Sequence, residues 1–217
     1  MISVQEGADG DGGPRSSWVA HRPREGRYAG HTATSLIEVA AHLFTERGYE
    51  ATSMADLSRA AGIAKSSIYH HVPGKEALLR GALEPAIEGL FGILSESPAQ
   101  DGAPVERLRH IVRRQVEVLT TELPYVTSLL RLRGNTETEC WALERRKVFD
   151  RRIAALVREA MDAGEIVDDI DAALAARLLS GAVNSLIEWY RPDRATPAEL
   201  VAVVERMAFE GLRENPA

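Results

Sequence analysis

The chain has 217 residues, 45% of them hydrophobic, and its 26 Lys plus Arg against 32 Asp plus Glu leave a formal net charge of -6. This is the composition of an ordinary soluble, globular protein with enough apolar residues for a core. Its single cysteine, Cys140, excludes an intrachain disulfide and a multi-cysteine metal site. The sequence contains neither a secretory signal nor a run of about 20 apolar residues, so we expect a cytoplasmic protein with no membrane partner.

The charge is distributed unevenly along the chain. Residues 1–13 carry -3, residues 14–80 carry +3 and residues 81–217 carry -6. The acidic total alone would argue against a nucleic-acid partner, whereas a basic segment inside an acidic protein is compatible with one. Of the 26 cations, 23 are Arg, which indicates a coding bias and weakens any argument from a single arginine.

Residues 1–31 are rich in Gly, Pro, Ser and Arg without helical or strand periodicity, which predicts a disordered tail. From Ser35 onward, apolar residues recur every three or four positions. Ser35 and Glu38 have the spacing of a capping box. The pattern therefore predicts a first helix from about Ser35 to Gly48.

Two very short helices are predicted next. Thr52 is the predicted N-cap of the second helix, which ends at Gly62. The third helix extends from Ile63 to His71 and is closed by Pro73. Two short helices separated by a turn that contains glycine are typical of a helix-turn-helix unit.

The rest of the chain has helical periodicity and no stretch of the alternating pattern that marks a strand. A fourth helix begins near Lys75, and Pro85 should bend it at a natural hinge. The later predicted segments are a loop over 97–104, a helix over 105–119 ended by Pro124, an apolar segment over 125–132, and helices over 138–161, 171–190 and 196–212. Thr196 opens the last of these helices, with Glu199 as its capping-box partner. The predicted fold class is all-α with about nine helices.

Residues 52–78, TSMADLSRAAGIAKSSIYHHVPGKEAL, resemble the DNA-binding segment of the TetR family of transcriptional regulators. Residues 40–49, AAHLFTERGY, are similar to the first helix of that family. The resemblance implies a three-helix DNA-binding domain over residues 32–80, with its helix-turn-helix at about 53–72. It also implies a helical ligand-binding and dimerisation domain over residues 81–217.

A recognition helix must present small and polar side chains to base edges near its N-terminal end, as residues 64–67 would. The resemblance implies that Tyr69, His71 and Lys75 bind backbone phosphates. We expect Thr52 to combine its capping role with a phosphate contact through its N–H. The full set of candidate DNA-binding residues is Thr52, Ser53, Ala64, Lys65, Ser66, Ser67, Tyr69, His70, His71 and Lys75.

Three arginines, Arg22, Arg24 and Arg27, lie just before the first helix. Such a basic arm is placed where it could reach a phosphate backbone or a minor groove. The alternative is that these arginines belong to a solvated tail, and the sequence leaves both possibilities open.

In the TetR family the larger domain holds a small-molecule pocket, and its last two helices form a dimer interface. This implies a homodimer through residues 171–190 and 196–212 that binds a palindromic operator. Residues 188–192 resemble the end of the corresponding helix in TetR-type regulators that respond to acyl-CoA thioesters. The guanidinium groups of arginines are well suited to bind the phosphates of CoA. Alternative effectors are another hydrophobic metabolite or a drug. Alternative functions of the protein are repression of an efflux gene and activation of transcription. The candidate pocket residues are Arg109, Arg113, Tyr125, Leu129, Arg133, Trp141, Phe149 and Trp189.

No metal, cofactor or catalytic site is predicted. The pair His70-His71 lacks the further ligands of a helical zinc motif, and Cys140 has no recognisable nucleophile context, although a redox role stays open. No Gly-x-Ser-x-Gly, phosphate loop or dinucleotide fingerprint is present, so we do not expect an enzyme. The competing class is a helical ligand-binding protein or enzyme with a vestigial helix-turn-helix.

Overall fold

The structure, a computed structural model, describes residues 32–211. Every regular element in that range is a helix, which confirms the all-α class. Eleven helices are present there instead of about nine: α1 Ala33–Arg47, α2 Met54–Ala61, α3 Lys65–His71, α4 Lys75–Ser95, α5 Ser97–Gln100, α6 Pro104–Thr121, α7 Leu123–Leu130, α8 Glu137–Asp162, α9 Ala172–Asn184, α10 Leu186–Trp189 and α11 Pro197–Phe209. The predicted tail over 1–31 and the predicted helix end at Leu212 lie outside the described residues.

The first helix begins earlier than its pattern predicts. Thr32 is the N-cap of α1, and its hydroxyl accepts a hydrogen bond from the Ser35 N–H at 3.2 Å. Ser35 completes the capping box by accepting from the Thr32 N–H, so it fills the position that the prediction gave to Glu38. Both Ser and Thr are favoured N-cap residues, and the sequence therefore offered two nearby starts. The end of α1 at Gly48 is as predicted.

The prediction that Thr52 caps α2 is wrong. Ser53 is the N-cap, and it forms a capping box with Asp56. The Thr52 side chain is buried and donates instead to the Gly48 carbonyl at 2.8 Å. Thr52 thus stabilises the turn between α1 and α2, a contact that helix-capping statistics do not anticipate.

Later differences concern helix ends. Residues 97–100 form α5, a single turn where a loop was predicted. Pro124 lies in the first turn of α7, where the N–H it lacks has no helical partner in any case. The predicted helix over 171–190 is divided at Ser185 into α9 and α10. Thr196 caps α11 with Glu199 as its capping-box partner, as predicted.

The central helix is α4, which contacts α1, α6, α7 and α8. Gly81 lies so close to α1 that a β-carbon would be 2.5 Å from Ile37 Cδ1, and one at Gly89 would be 2.9 Å from Val118 Cγ1 of α6. Pro85 lies between these glycines, and α4 continues through it as one helix. The glycines therefore serve close packing on two sides of α4, while the hinge at Pro85 stays a prediction.

The main core lies where the second half of α4 meets α6, α8 and α9. Its largest buried side chains include Ile93, Leu108, Ile111, Phe149 and Ile153. Among residues 32–211, no helix is both long and apolar enough to cross a bilayer.

Gly89→Ala should lower the free energy of unfolding by about 1–3 kcal/mol, because the stiff Val118 side chain must move or α4 must separate from α6. Gly92→Ala is a matched control in the same helix, since no atom lies within 4 Å of a β-carbon there. Alanine at that exposed position should raise the free energy of unfolding by about 0.5–1 kcal/mol. Chemical denaturation of both variants measures the contrast, and equal effects would contradict the packing role of Gly89.

Candidate DNA-binding surface and effector cavity

The turn between α2 and α3 determines how α3 is presented. Gly62 adopts the left-handed conformation with φ 70°, and its N–H caps the end of α2. The Ser58 hydroxyl donates across the turn to the Ile63 carbonyl. On the inner face, Ile68 and Leu57 are only 0% and 1% exposed. The buried face holds α3 against the domain and leaves its opposite face in solvent.

The outer face of α3 is small and polar near its N-terminal end. Its exposed residues are Ala64, Lys65, Ser66, Tyr69, His70 and His71, and Ser67 is partly buried. Tyr69 is 49% exposed despite its size. A helix with this surface can enter a major groove without steric obstruction, and it carries donors for bases and phosphates.

Lys75 and Thr52 are less available than the sequence suggests. The Lys75 ammonium donates to the Tyr49 carbonyl at 3.0 Å and lies 4.1 Å from the centroid of the Tyr49 ring. An ammonium has three N–H donors, so Lys75 keeps two for a phosphate. The Thr52 N–H donates to the Tyr49 carbonyl at 3.1 Å. The expected phosphate contact through the Thr52 N–H is therefore blocked by an internal hydrogen bond.

Asp56 is the one carboxylate of α2, and its charge is compensated locally. Hydrogen bonds from Ser53 lower the pKa of Asp56, and Arg59 and Arg47 act in the same direction. Arg47 lies 3.5 Å from the carboxylate, and Arg59 forms a closer ion pair. This acidic residue therefore adds little net repulsion toward a phosphate backbone.

A cavity lies among α4, α6, α7, α8 and α9. The empty space between these helices is about 470 Å³, a figure that includes the part open to solvent. Its lining consists of Leu90, Gln115, Val118, Leu119, Val126, Leu129, Leu130, Arg146, Phe149, Asp150, Ser180, Val183 and Asn184. The predicted pocket residues Leu129 and Phe149 are part of this lining.

The other six predicted pocket residues do not line the cavity: Arg109, Arg113, Tyr125, Arg133, Trp141 and Trp189. Arg113 extends to α11 and pairs with Glu205 at 2.8 Å. The Trp141 ring centroid lies 3.2 Å from the Arg80 guanidinium, and Trp189 is 55% exposed. Aromatic and arginine content pointed correctly to α6, α7 and α8 but not to the faces that turn inward, and Arg133 and Trp189 lie outside the lining helices.

Five polar residues of the cavity wall were missed: Gln115, Arg146, Asp150, Ser180 and Asn184. Burial lowers the pKa of Arg146, and nearby Asp150 opposes that effect. Burial also raises the pKa of Asp150, against the influence of Arg146 and Arg177. A signal was available, because Arg146 and Asp150 flank Phe149 at helical spacing on the apolar face of the longest helix.

Most arginines of the surrounding helices already have carboxylate partners. Burial of Glu96 is outweighed by hydrogen bonds from His110 and Arg114, so the pKa of Glu96 is lowered. Other pairs are Arg107 with Glu159, Arg113 with Glu205, Arg131 with Glu188, and Arg151 with Glu144. A guanidinium engaged in this way is a weaker candidate for binding CoA phosphates.

Polar contacts connect the helices around α3 with the helices around the cavity. The Thr45 hydroxyl of α1 lies 3.2 Å from the Ser128 hydroxyl and donates to a carbonyl of α7 at 3.1 Å. Arg131 donates to the Thr45 carbonyl at 3.0 Å. Between α8 and α4, the Thr138 hydroxyl donates to the Glu76 carboxylate at 2.9 Å. Because α7 and α8 also line the cavity, both links connect it to the helices that carry the candidate DNA-binding residues.

The last helices expose apolar side chains in rows. Leu174 and Leu178 of α9 are 54% and 66% exposed, and Val203 and Met207 of α11 are each 55% exposed. Each pair has i, i+4 spacing and so lies on one helix face. Exposed apolar surface of this kind marks a site of protein interaction.

No metal site is found in the part of the chain that the structure describes, where no three His, Cys, Asp or Glu side chains are grouped to hold an ion. His70 and His71 are both exposed. Cys140 is also exposed, and its Sγ lies 3.4 Å from the Gly134 carbonyl oxygen.

Two family descriptions match the chain. "Bacterial regulatory proteins, tetR family" matches residues 36–82, and "Tetracyclin repressor-like, C-terminal domain" matches residues 101–212. A curated relative, the HTH-type transcriptional repressor KstR2 of Rhodococcus jostii strain RHA1, is 30% identical over 173 residues. That alignment covers 78% of this chain and 84% of the relative.

Similar structures have been solved. SCO3833 from Streptomyces coelicolor A3, a member of the TetR family, is 54% identical with a TM-score of 0.80, over 85% of this chain and 94% of that one. AibR, solved in complex with isovaleryl coenzyme A and operator DNA, is 28% identical with a TM-score of 0.66, over 82% of this chain and 97% of that one. With one description matching just over half of the chain and the other spanning α1 to α3, the chain belongs to the TetR family of transcriptional regulators.

Proposed function

We propose that the protein is a ligand-responsive repressor that binds a palindromic operator as a homodimer and releases it when a hydrophobic small molecule enters the cavity. One observation carries the proposal: a firmly anchored α3 with a polar outer face is connected through α7 to a separate cavity. A ligand that fits only one arrangement of the helices around the cavity shifts the population toward that arrangement.

A gel shift with the DNA flanking the protein's own gene tests the proposal that the protein is a repressor. A folded dimer that retards no DNA at low salt would falsify the proposal.

At the operator, Lys65 and Ser66 read base edges, while Tyr69 and Lys75 bind phosphates. Residues 32–80 contain five cations and five anions, so their net charge is zero. Residues 14–31 contain four cations and one anion, so the +3 of residues 14–80 lies there. Attraction to DNA beyond the few contacts of α3 and α4 therefore depends on the arm that contains Arg22, Arg24 and Arg27, which we include in the DNA-binding surface.

Dimerisation follows from the exposed apolar rows of α9 and α11. When the same rows of a second copy cover them, they form a four-helix bundle with twofold symmetry. A twofold dimer places its two copies of α3 at half-sites about 34–36 Å apart, which is why the operator should be palindromic.

The effector is a small molecule with a substantial apolar part, because most of the cavity lining is apolar. An acyl-CoA thioester is a candidate because AibR was solved with isovaleryl coenzyme A. The arginine ion pairs with Glu96, Glu159 and Glu205 count against it, since CoA phosphates would have to compete with these carboxylates.

A repressor of an efflux gene and an activator are the alternatives within the family, and neighbouring genes distinguish them. A helical ligand-binding protein that does not use its helix-turn-helix is the alternative of another class, and the gel shift addresses it. As a regulator of chromosomal genes, the protein would act in the bacterial cytoplasm.

Lys75→Met should weaken binding to any DNA sequence, because it removes one cationic phosphate contact. The slope of log affinity against log salt should fall by about one. Lys147→Met is the matched control, since Lys147 lies on α8 and is paired with Glu144 at 3.3 Å. Fluorescence anisotropy over a salt series measures both slopes. An unchanged slope for Lys75→Met would rule out its phosphate contact.

Leu178→Glu should convert the dimer to a monomer and abolish tight binding to a palindrome, because a carboxylate would be buried in the apolar interface. Val167→Glu, at a residue of similar exposure between α8 and α9, should leave the dimer intact. Sedimentation equilibrium of both variants measures the association. A dimer that persists in Leu178→Glu would locate the interface elsewhere.

Thr45→Val removes the hydroxyl that joins α1 to α7 while keeping the side-chain shape, so it should reduce the effect of an effector on operator affinity. Thr120→Val is the control, because among residues 32–211 the Thr120 hydroxyl bonds to carbonyls of its own helix. Two ten-carbon compounds, decanoate and decanoyl-CoA, serve as probe effectors, and the one that releases the parent protein from its operator is used. The measurement compares the operator affinity of each variant with and without that compound. An undiminished response in Thr45→Val would exclude α1–α7 coupling through this hydroxyl.

A further inference from the structure

The lining of the cavity contains both apolar and polar residues. Its apolar residues are Leu90, Val118, Leu119, Val126, Leu129, Leu130, Phe149 and Val183, and its polar residues are Gln115, Arg146, Asp150, Ser180 and Asn184. Such a mixed lining suits a ligand with a hydrocarbon body and a polar group. The chemistry of the polar residues indicates what that group is.

Arg146 is the charged donor among these polar residues, and the described part of the chain uses little of its hydrogen-bonding capacity. Within residues 32–211, its one hydrogen bond is from Nη1 to the Leu129 carbonyl at 3.5 Å, the limit of such a contact. No carboxylate of these residues lies within 4.0 Å of its guanidinium, in contrast to Arg107 or Arg113. A guanidinium carries five N–H donors, so most of its capacity is available to a bound group.

Asp150 does not neutralise Arg146 by direct contact. It follows Arg146 by one helical turn at the exposed edge of the cavity, and Arg177 of α9 also acts on its carboxylate. The lowered pKa of Arg146 agrees with a guanidinium that has lost water without gaining a close anion.

Gln115 faces the same cavity from α6. It is 6% exposed, and no hydrogen bond of its amide is found within residues 32–211. No side-chain nitrogen or oxygen of those residues is both fully buried and unpartnered, so this amide keeps accessible surface that a bound group can contact. Arg146 and Gln115 thus offer a positive charge and an amide N–H from two different helices.

We propose that the effector is an apolar carboxylic acid, whose carboxylate is bound by Arg146 and Gln115 while its hydrocarbon body lies against Phe149 and the other apolar residues of the cavity. This inference rests on the proposed function, and it selects a free acid over a thioester as the species bound. Arginine provides two parallel donors that match the two oxygens of a carboxylate.

Three probes with the same ten-carbon chain test the proposal on the full-length protein: decanoate, methyl decanoate and decanoyl-CoA. Isothermal titration should show decanoate binding at least about tenfold more tightly than its methyl ester, because the ester offers no negative charge. Arg146→Met should weaken decanoate binding by about tenfold or more and leave ester binding within about twofold. Arg152→Met, an exposed arginine on the same helix, should change neither affinity.

Gln115→Leu provides a second variant, which keeps the side-chain volume and should weaken decanoate severalfold without weakening the ester. It also keeps the test decisive if Arg146→Met does not fold. Equal binding of acid and ester, binding of decanoyl-CoA alone, or no binding of any probe would each overturn the inference. These outcomes leave the proposed function standing as long as the protein retards its own flanking DNA, which is measured separately.

Discussion

The close packing of α4 against its neighbours is the constraint on which the rest of the structure depends. In its first half, Gly81 places α4 against Ile37 of α1. Eight residues later, Gly89 places it against Val118 of α6. A single helix therefore supports the three-helix unit at one end and a wall of the cavity at the other. Because protein interiors are densely packed, we expect a displacement at one end of α4 to affect the other end.

The helices of the first third could be predicted well because their information is local. Apolar periodicity, Gly48 and Gly62 place the ends of α1, α2 and α3 to within about two residues. The caps were harder, since Thr52 and Ser53 are adjacent and chemically alike. What distinguishes them is that the Thr52 hydroxyl bonds to the Gly48 carbonyl, a tertiary contact without a sequence signature.

The candidate cavity was only partly predictable. Leu129 and Phe149 were predicted as pocket residues, and both line the cavity. Arg113 could not be placed from sequence, because its partner Glu205 is distant in the chain and belongs to the last helix. Arg146 was one arginine among many until the structure showed that it belongs to the cavity lining and that no carboxylate of residues 32–211 lies within 4.0 Å of its guanidinium. The useful distinction was therefore its position together with the lack of a close anion, and not the residue type.

The connection between α1 and α7 consists mainly of bonds between uncharged groups. The Thr45 hydroxyl meets a backbone carbonyl and the Ser128 hydroxyl, and only Arg131 contributes a charge. Dissolved ions screen exposed charges but hardly affect neutral hydrogen bonds in a half-buried site. Changes in cellular ionic strength should therefore alter how tightly the regulator holds DNA while leaving the ratio between its ligand-free and ligand-bound affinities nearly constant.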